Sequence, residues 1–301
     1  MNRLISNILA TDGYKPSHYL QDPPLTLDKF SYIEARKGPP VTWFGLQSII
    51  QEYLMNKITM KDVAEAKAFF ASYGTPFNED GWKRIVTNHG GYMPVRICAA
   101  EEGLRIPTGN VLATVETIDS ELPWVGSYLE TLLLRVWYPT TVATRSSIIK
   151  DVIKAALKRS GDVDNLPWKL HDFGARGASS GESAAIGGMA HLVNFVGSDT
   201  LEGVYAAMTH YGAPGQTARE FLLGGGTTPA VSIPASEHST ITAWGRDHEA
   251  DAYANMIDKF GGEGKVFACV IDSYDDANAV DRIWGQELKQ KLLDSKATFV
   301  A

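Results

Sequence analysis

Leu170-His171-Asp172-Phe173-Gly174-Ala175-Arg176-Gly177-Ala178-Ser179-Ser180 leads on to Val193-Asn194-Phe195-Val196-Gly197-Ser198-Asp199-Thr200, and together they read as two strands joined by a helix. Gly174 and Gly177 allow a sharp turn from strand to helix. Ser179 and Glu182 have capping-box spacing, which predicts a helix start there. Ala184, Ala185, Gly187, Gly188 and Ala190 then give that helix a narrow side for close packing. Phe173, Arg176 and Asp199 fall at strand ends, where α/β folds bind small ligands. An aromatic ring, a guanidinium and a carboxylate suit a flat amide-bearing ring and an anionic partner. The helix N-terminus beside Arg176 suits a phosphate. Plainer readings fit as well: Arg176 as a surface residue of a strand–turn–helix, Asp199 as an Asx turn or helix cap. The order Gly-x-Gly-x-x-Gly is absent, so this is not a dinucleotide fingerprint.

Working outward, strand and helix alternate from Trp168 onward. Strands are predicted at Trp168–Phe173, Leu192–Val196, Val231–Pro234 and Val266–Ile271, with a helix over Ser239–Phe260 that buries Ile241, Trp244, His248 and Tyr253. Such alternation implies parallel strands with crossover helices. Residues 1–165 are mixed: strands near Lys29–Glu34, Arg96–Ala99 and Val111–Val115, and helices over Leu46–Asn56, Lys61–Ser72, Leu122–Trp137 and Thr141–Ser160. The polar stretch Gly161–Asn165 marks the boundary. The expected fold class is α/β: an N-terminal mixed α+β domain (1–165) followed by an α/β domain (166–301). Four candidate parallel strands are too few for a closed barrel, which needs about eight. Lys296–Ala301 reads as a further strand beginning. Either another chain completes the sheet or the barrel is not closed.

Two further segments carry chemistry. In Val231-Ser232-Ile233-Pro234-Ala235-Ser236-Glu237-His238, a strand ends at Pro234 and a helix starts near Ser239. His238 there suits an acid–base or a nucleophile towards phosphorus, oriented by Glu237 or a nearby carboxylate; a structural histidine is the plainer reading. Val270-Ile271-Asp272-Ser273-Tyr274-Asp275-Asp276 ends the next strand in carboxylates that suit substrate-borne Mg²⁺ or ribose hydroxyls, or cap a helix. Gly224–Gly226 and Gly261–Lys265 read as turns, since no Ser or Thr follows Lys265 as a phosphate-cradling loop requires. Ala10–His18 reads by itself as a turn.

The net charge of −7 argues against general nucleic-acid binding, while leaving room for a local basic pocket. Cys98 and Cys269 are the only cysteines and form no disulfide framework or metal knuckle; the apolar surroundings of Cys269 suit a packing thiol. Met1–Ile5 lacks the apolar stretch of a leader, and no run approaches the roughly 18 apolar residues of a membrane span. A cytoplasmic location is expected.

Taken in order, Ala10–His18, Ser31–Arg36, Phe44–Gln47, Trp137–Thr144, Leu170–Thr200, Ile233–Asp247 and Asp272–Asp275 resemble the nicotinamide phosphoribosyltransferase family. The resemblance implies the type II phosphoribosyltransferase architecture, here an incomplete irregular α/β barrel after the mixed domain, in a homodimer with shared active sites. It implies a pentosyl transfer: nicotinamide and 5-phosphoribosyl 1-pyrophosphate give nicotinamide mononucleotide and pyrophosphate, for NAD salvage. It implies Mg²⁺ on the pyrophosphate and ATP as the coupling nucleotide. Phe173 and the Tyr14 of a second copy sandwich the base in this reading, Asp199 holds the carboxamide, and Ser232 and Ile233 line the pocket. Arg176 contacts phosphate, with Arg36 of the second copy a further candidate. His238 matches the histidine phosphorylated by ATP, and Asp275 a carboxylate near ribose and Mg²⁺.

Departures accompany the resemblance. The family's Arg-Pro-Asp-Ser-Gly segment and glycine-rich phosphate loops are not in this sequence, residues 213–230 look longer than the matching loop, and Ala175 stands where an aromatic is common. A complementary C-terminal chain is therefore expected. Nicotinate phosphoribosyltransferase is the alternative within enzymes, disfavoured because Asp199 would repel a carboxylate. A non-catalytic nicotinamide-binding or partner subunit is the alternative outside them.

Overall fold

The computed structural model describes residues 6–301; the Met1–Ile5 reading lies outside the described residues. The chain separates into two compact units, one ending at Val231 and the other spanning Ser232–Ala301. The expected junction at residue 165 falls inside the first, within the 3-10 turn Val163–Trp168.

The first unit is built on β1 (Phe30–Glu34), β2 (Val41–Thr42), β3 (Val95–Ala99), β4 (Arg105–Ile106) and β5 (Val111–Thr117). β5 lies between β1 and β3 in an antiparallel sheet, with Tyr32 opposite Thr114 and Cys98 opposite Thr114 on the other side. β2 and β4 form a separate antiparallel pair. Helix Met60–Tyr73 starts at a Thr59–Asp62 capping box and ends at Gly74, whose φ of +88° suits a residue without Cβ. Trp82, Trp124 and Tyr128 fill the core as edge-on rings with centroids 5.0–5.5 Å apart. Asp119 is buried between Arg84 (Nε at 2.8 Å) and His89 (Nε2 at 2.6 Å), and the Arg84 guanidinium holds its carboxyl far below the ordinary range. The apolar run Leu122–Trp137, predicted as one helix, is helical but broken into short pieces, the α-helices Val125–Tyr128 and Glu130–Leu133 and the 3-10 helix Leu134–Val136, before the long helix Trp137–Ser160.

Beyond that helix the strands are shorter than predicted. β6 (His171–Asp172) and β7 (Gly197–Ser198) are parallel, with His171 opposite Gly197 and Asp172 opposite Ser198. Val231 extends the parallel arrangement by a bridge to Gly197. Leu192–Asn194 is turn rather than strand, and backbone pairing begins only at Val196, with Phe195 buried and stacked on His191 at 5.4 Å. Ser180, one residue later than predicted, caps helix Gly181–His191 by accepting the Ser183 N–H. Its narrow side meets helix Leu201–Tyr211, where a Cβ on Gly203 would come within 2.5 Å of Gly188 Cα. Residues 213–230 include a short helix, Ala218–Leu223, closed by a Thr217–Glu220 capping box.

The second unit contains β8 (Val266–Ala268) and β9 (Thr298–Val300), again parallel, with Ala235 bridged to Ala268. The strand expected near the end of the sequence is thus present. The predicted helix Ser239–Phe260 is two helices, His238–Thr242 and Glu249–Phe260, broken at Gly245 with φ +87°. The break explains why Ile241 and Tyr253 are buried while Trp244 and His248 are exposed, against the single buried side predicted. Among the described residues no helix is long and apolar enough to cross a membrane.

Candidate active site

Side chains two apart in a strand share one face of a sheet. His171 and Phe173 are so related, as are Gly197 and Asp199, and the register sets His171 against Gly197. All four positions therefore belong to one face at the carboxyl ends of β6 and β7. The Asp199 N–H donates to the Asp172 carbonyl at 2.8 Å, which carries the pairing one residue past the strands. Phe173 is two-thirds exposed, presenting its ring to solvent. His171 Nε2 lies 2.7 Å from Asp199 Oδ2, and the His171 and Phe173 ring centroids are 4.8 Å apart. The structure thus brings Phe173 and Asp199 together through an imidazole to which the sequence reading gave no role. The alternation His171-x-Phe173 was the available signal.

Beneath β7, His191 is buried, with Nε2 3.1 Å from the Gly197 carbonyl and Nδ1 3.2 Å from Ser146 Oγ. Burial lowers its pKa, favouring the neutral ring. Arg176 stands in the exposed 3-10 turn Ala175–Gly177, between β6 and the capped helix. Ser232 and Ile233 follow Val231 directly in the chain.

In the second unit His238 is the first residue of its helix, one position earlier than predicted. Its Nε2 lies 2.9 Å from Asp272 Oδ1. Asp275, the carboxylate picked out from sequence, caps helix Asp276–Asn278 by accepting the Asn278 N–H at 2.8 Å. The acidic segment therefore divides its work, one carboxylate on the imidazole and one on the backbone. Which of its three acids would reach His238 had no sequence signal, because the pairing spans 34 residues. Among the described residues no three His, Cys, Asp or Glu side chains converge as a metal cage.

Tyr14 and Arg36 belong to a different part of the first unit. Ala10–His18, read as a turn, leads into a 3-10 helix at Lys15–Leu20 with Tyr14 exposed at its start. Lys15 is buried, places its ammonium 5.5 Å from the Tyr14 ring centroid and pairs with Glu130. Glu130 lines a cavity of about 930 Å³ together with Glu34, Arg36, Lys37 and Arg145. Phe173, Arg176 and Asp199 do not line it.

Comparison with known proteins follows this division. Residues 6–97 match the family described as nicotinamide phosphoribosyltransferase, N-terminal domain. Residues 168–301 match the nicotinate phosphoribosyltransferase (NAPRTase) family. A nicotinamide phosphoribosyltransferase of Xanthomonas campestris pv. campestris is 49% identical over 304 residues, covering 100% of this chain and 62% of the relative. Proteins of the same name from Mycoplasma genitalium and Acinetobacter baylyi are 30% and 27% identical, covering 93% and 98% of this chain and 62% and 59% of their own lengths. The chain spans about three fifths of the length of the curated relatives it matches. With two family matches in the expected order and near-half identity along its whole length, the chain is similar throughout to nicotinamide phosphoribosyltransferases.

Proposed function

We propose that this chain works in the transfer of a phosphoribosyl group from 5-phosphoribosyl 1-pyrophosphate to nicotinamide, yielding nicotinamide mononucleotide and pyrophosphate for NAD salvage. The observation that carries this reading is the Phe173–His171–Asp199 arrangement at the ends of two parallel strands. Phe173 offers a stacking face for the pyridine ring. The Asp199 carboxylate accepts the carboxamide N–H and repels a carboxylate-bearing base. Held this way, the ring nitrogen points at the anomeric carbon, and positioning supplies much of the rate. As the C–O bond to pyrophosphate breaks, the ring nitrogen's electron pair forms the new C–N bond. Arg176 takes the phosphate.

The architecture proposed is an irregular α/β barrel left incomplete by this chain, with domains 1–165 and 166–301. The cavity beside Arg36 and the exposure of Tyr14 support a homodimer with shared sites, in which a second copy brings those two residues to the base and phosphate. The family's phosphate loops are not in the three fifths of the relatives' length that this sequence spans. Mg²⁺ fits as an ion carried by the pyrophosphate, because it keeps most of its water and needs only one or two carboxylates, for which Asp275, in the acidic segment that follows β8, would serve. When bound, it neutralises charge on the departing pyrophosphate.

His238 is the proposed acceptor of the ATP γ-phosphoryl group. A carboxylate at Nε2 favours the tautomer with its proton there, leaving the Nδ1 lone pair as nucleophile. Nδ1 attacks phosphorus, ADP leaves, and water later releases phosphate. A cytoplasmic location accords with NAD salvage.

The test is turnover of nicotinamide and of nicotinate with 5-phosphoribosyl 1-pyrophosphate, Mg²⁺ and ATP, with and without a candidate C-terminal chain. Formation of nicotinamide mononucleotide supports the proposal. A preference for nicotinate overturns the base assignment, and binding without turnover in every combination points to the non-catalytic subunit.

A further inference from the structure

The imidazole of His171 touches both groups that base recognition uses. Its Nε2 approaches Asp199 Oδ2 to 2.7 Å, and its ring lies against Phe173 with an interplanar angle of 34°. That nitrogen is buried and makes no hydrogen bond, so the approach to the carboxylate is close but off-axis. A buried polar atom without a partner is unfavourable, because its lost contact with water is not replaced. Sites that bind a ligand often hold such contacts loose until the ligand draws them into line. The opposing strand makes room for the ring: a Cβ on Gly197 would come within 2.6 Å of His171 Nδ1. Neighbouring titratable groups have other contacts. Asp172 Oδ1 accepts the Gly174 N–H at 2.8 Å, and His191 contacts Ser146 and the Gly197 carbonyl.

We propose that His171 is a positioning residue for the base: its Nε2–H aligns on Asp199 when the base binds, fixing the carboxylate against the carboxamide while its ring backs Phe173. This inference rests on the nicotinamide reading above. The residue touches neither reacting atom, so its effect passes through Asp199 and Phe173. The ring donates a hydrogen bond without needing a charge, so the contact is compatible with the discrimination against nicotinate assigned to Asp199.

The two contacts can be separated by substitution. His171→Phe keeps a ring against Phe173 but removes the donor, whereas His171→Gln keeps a donor without the ring. Calorimetric titration of the whole chain with nicotinamide and with nicotinate should show about tenfold weaker nicotinamide binding in His171→Phe, with recovery of most of the loss in His171→Gln. In an Asp199→Ala background His171→Phe should cost nothing further, because the carboxylate it aligns is gone. Additive losses, or wild-type affinity in His171→Phe, overturn the His171 assignment and leave the base reading standing. No nicotinamide binding by the wild-type chain overturns the base reading, and this inference with it. Should His171→Phe fail to fold, His171→Leu, which also lacks the donor, makes the same comparison with and without Asp199→Ala, and additive losses overturn the assignment.

Discussion

Nε2 of His238 and Oδ1 of Asp272 stand 2.9 Å apart, an imidazole at a helix start and a carboxylate just after β8. Aspartate in that place fixes which ring nitrogen carries the proton. Replacing it by asparagine keeps the shape and removes the charge. Asp272→Asn should lower acid-labile phosphate incorporation from γ-labelled ATP by roughly 10²-fold, the scale of a lost acid–base partner. His238→Asn should abolish it. Unchanged labelling in Asp272→Asn would mean that the pair is structural.

At the base, Asp199→Asn trades an acceptor carboxylate for a neutral amide. Nicotinamide binding should weaken roughly tenfold, and the preference over nicotinate should narrow because like-charge repulsion is gone. Parallel titrations with the two bases measure both effects.

Packing between helices Gly181–His191 and Leu201–Tyr211 depends on two glycines meeting. Gly203→Ala would press a methyl to 2.5 Å from Gly188 Cα, a backbone atom that cannot rotate away. Overpacking of this kind costs typically 1–3 kcal/mol, against about 1 kcal/mol that alanine gains over glycine in helix propensity, which leaves a net loss of up to about 2 kcal/mol. A urea denaturation midpoint lowered by that amount is expected, whereas Gly177→Ala, with open space around its Cβ position, should leave the midpoint nearly unchanged.

Stability should fall as pH drops below about 6.5, the ordinary histidine value. Burial lowers the folded-state pKa of His191 and of His210, so the unfolded chain takes up these protons first and is favoured as acid is added. Stability is full above the unfolded value and is lost progressively down through the folded one. Asp119 contributes separately, below about pH 4, where the unfolded carboxyl gains its proton before the folded one. Denaturation curves across pH 4.5–7 isolate the histidines, and His191→Gln should flatten that slope.

Thiol chemistry should distinguish the two cysteines. Burial pushes the Cys269 thiol up to about 12, so almost none of it is thiolate near neutrality. Cys98 is exposed on β3. A thiol reagent should label Cys98 alone in the folded chain, and both residues in denaturant; prompt labelling of Cys269 under native conditions would contradict its burial.

Residue order alone settled much about this protein. The capped helix start at Ser180, within one residue of the expected position, the strand Phe30–Glu34, and the placing of Phe173 and Asp199 after neighbouring strands all follow from local rules of capping, alternation and turn chemistry. Where apolar residues serve packing rather than extension, periodicity misled: Leu192–Asn194 is turn, and Gly245 divides a helix whose spacing looked continuous. Only the tertiary structure decided which side chains meet. Asp272 rather than Asp275 reaches His238, and His171 joins Phe173 to Asp199, because strand register and chain crossing set distances that no local pattern encodes.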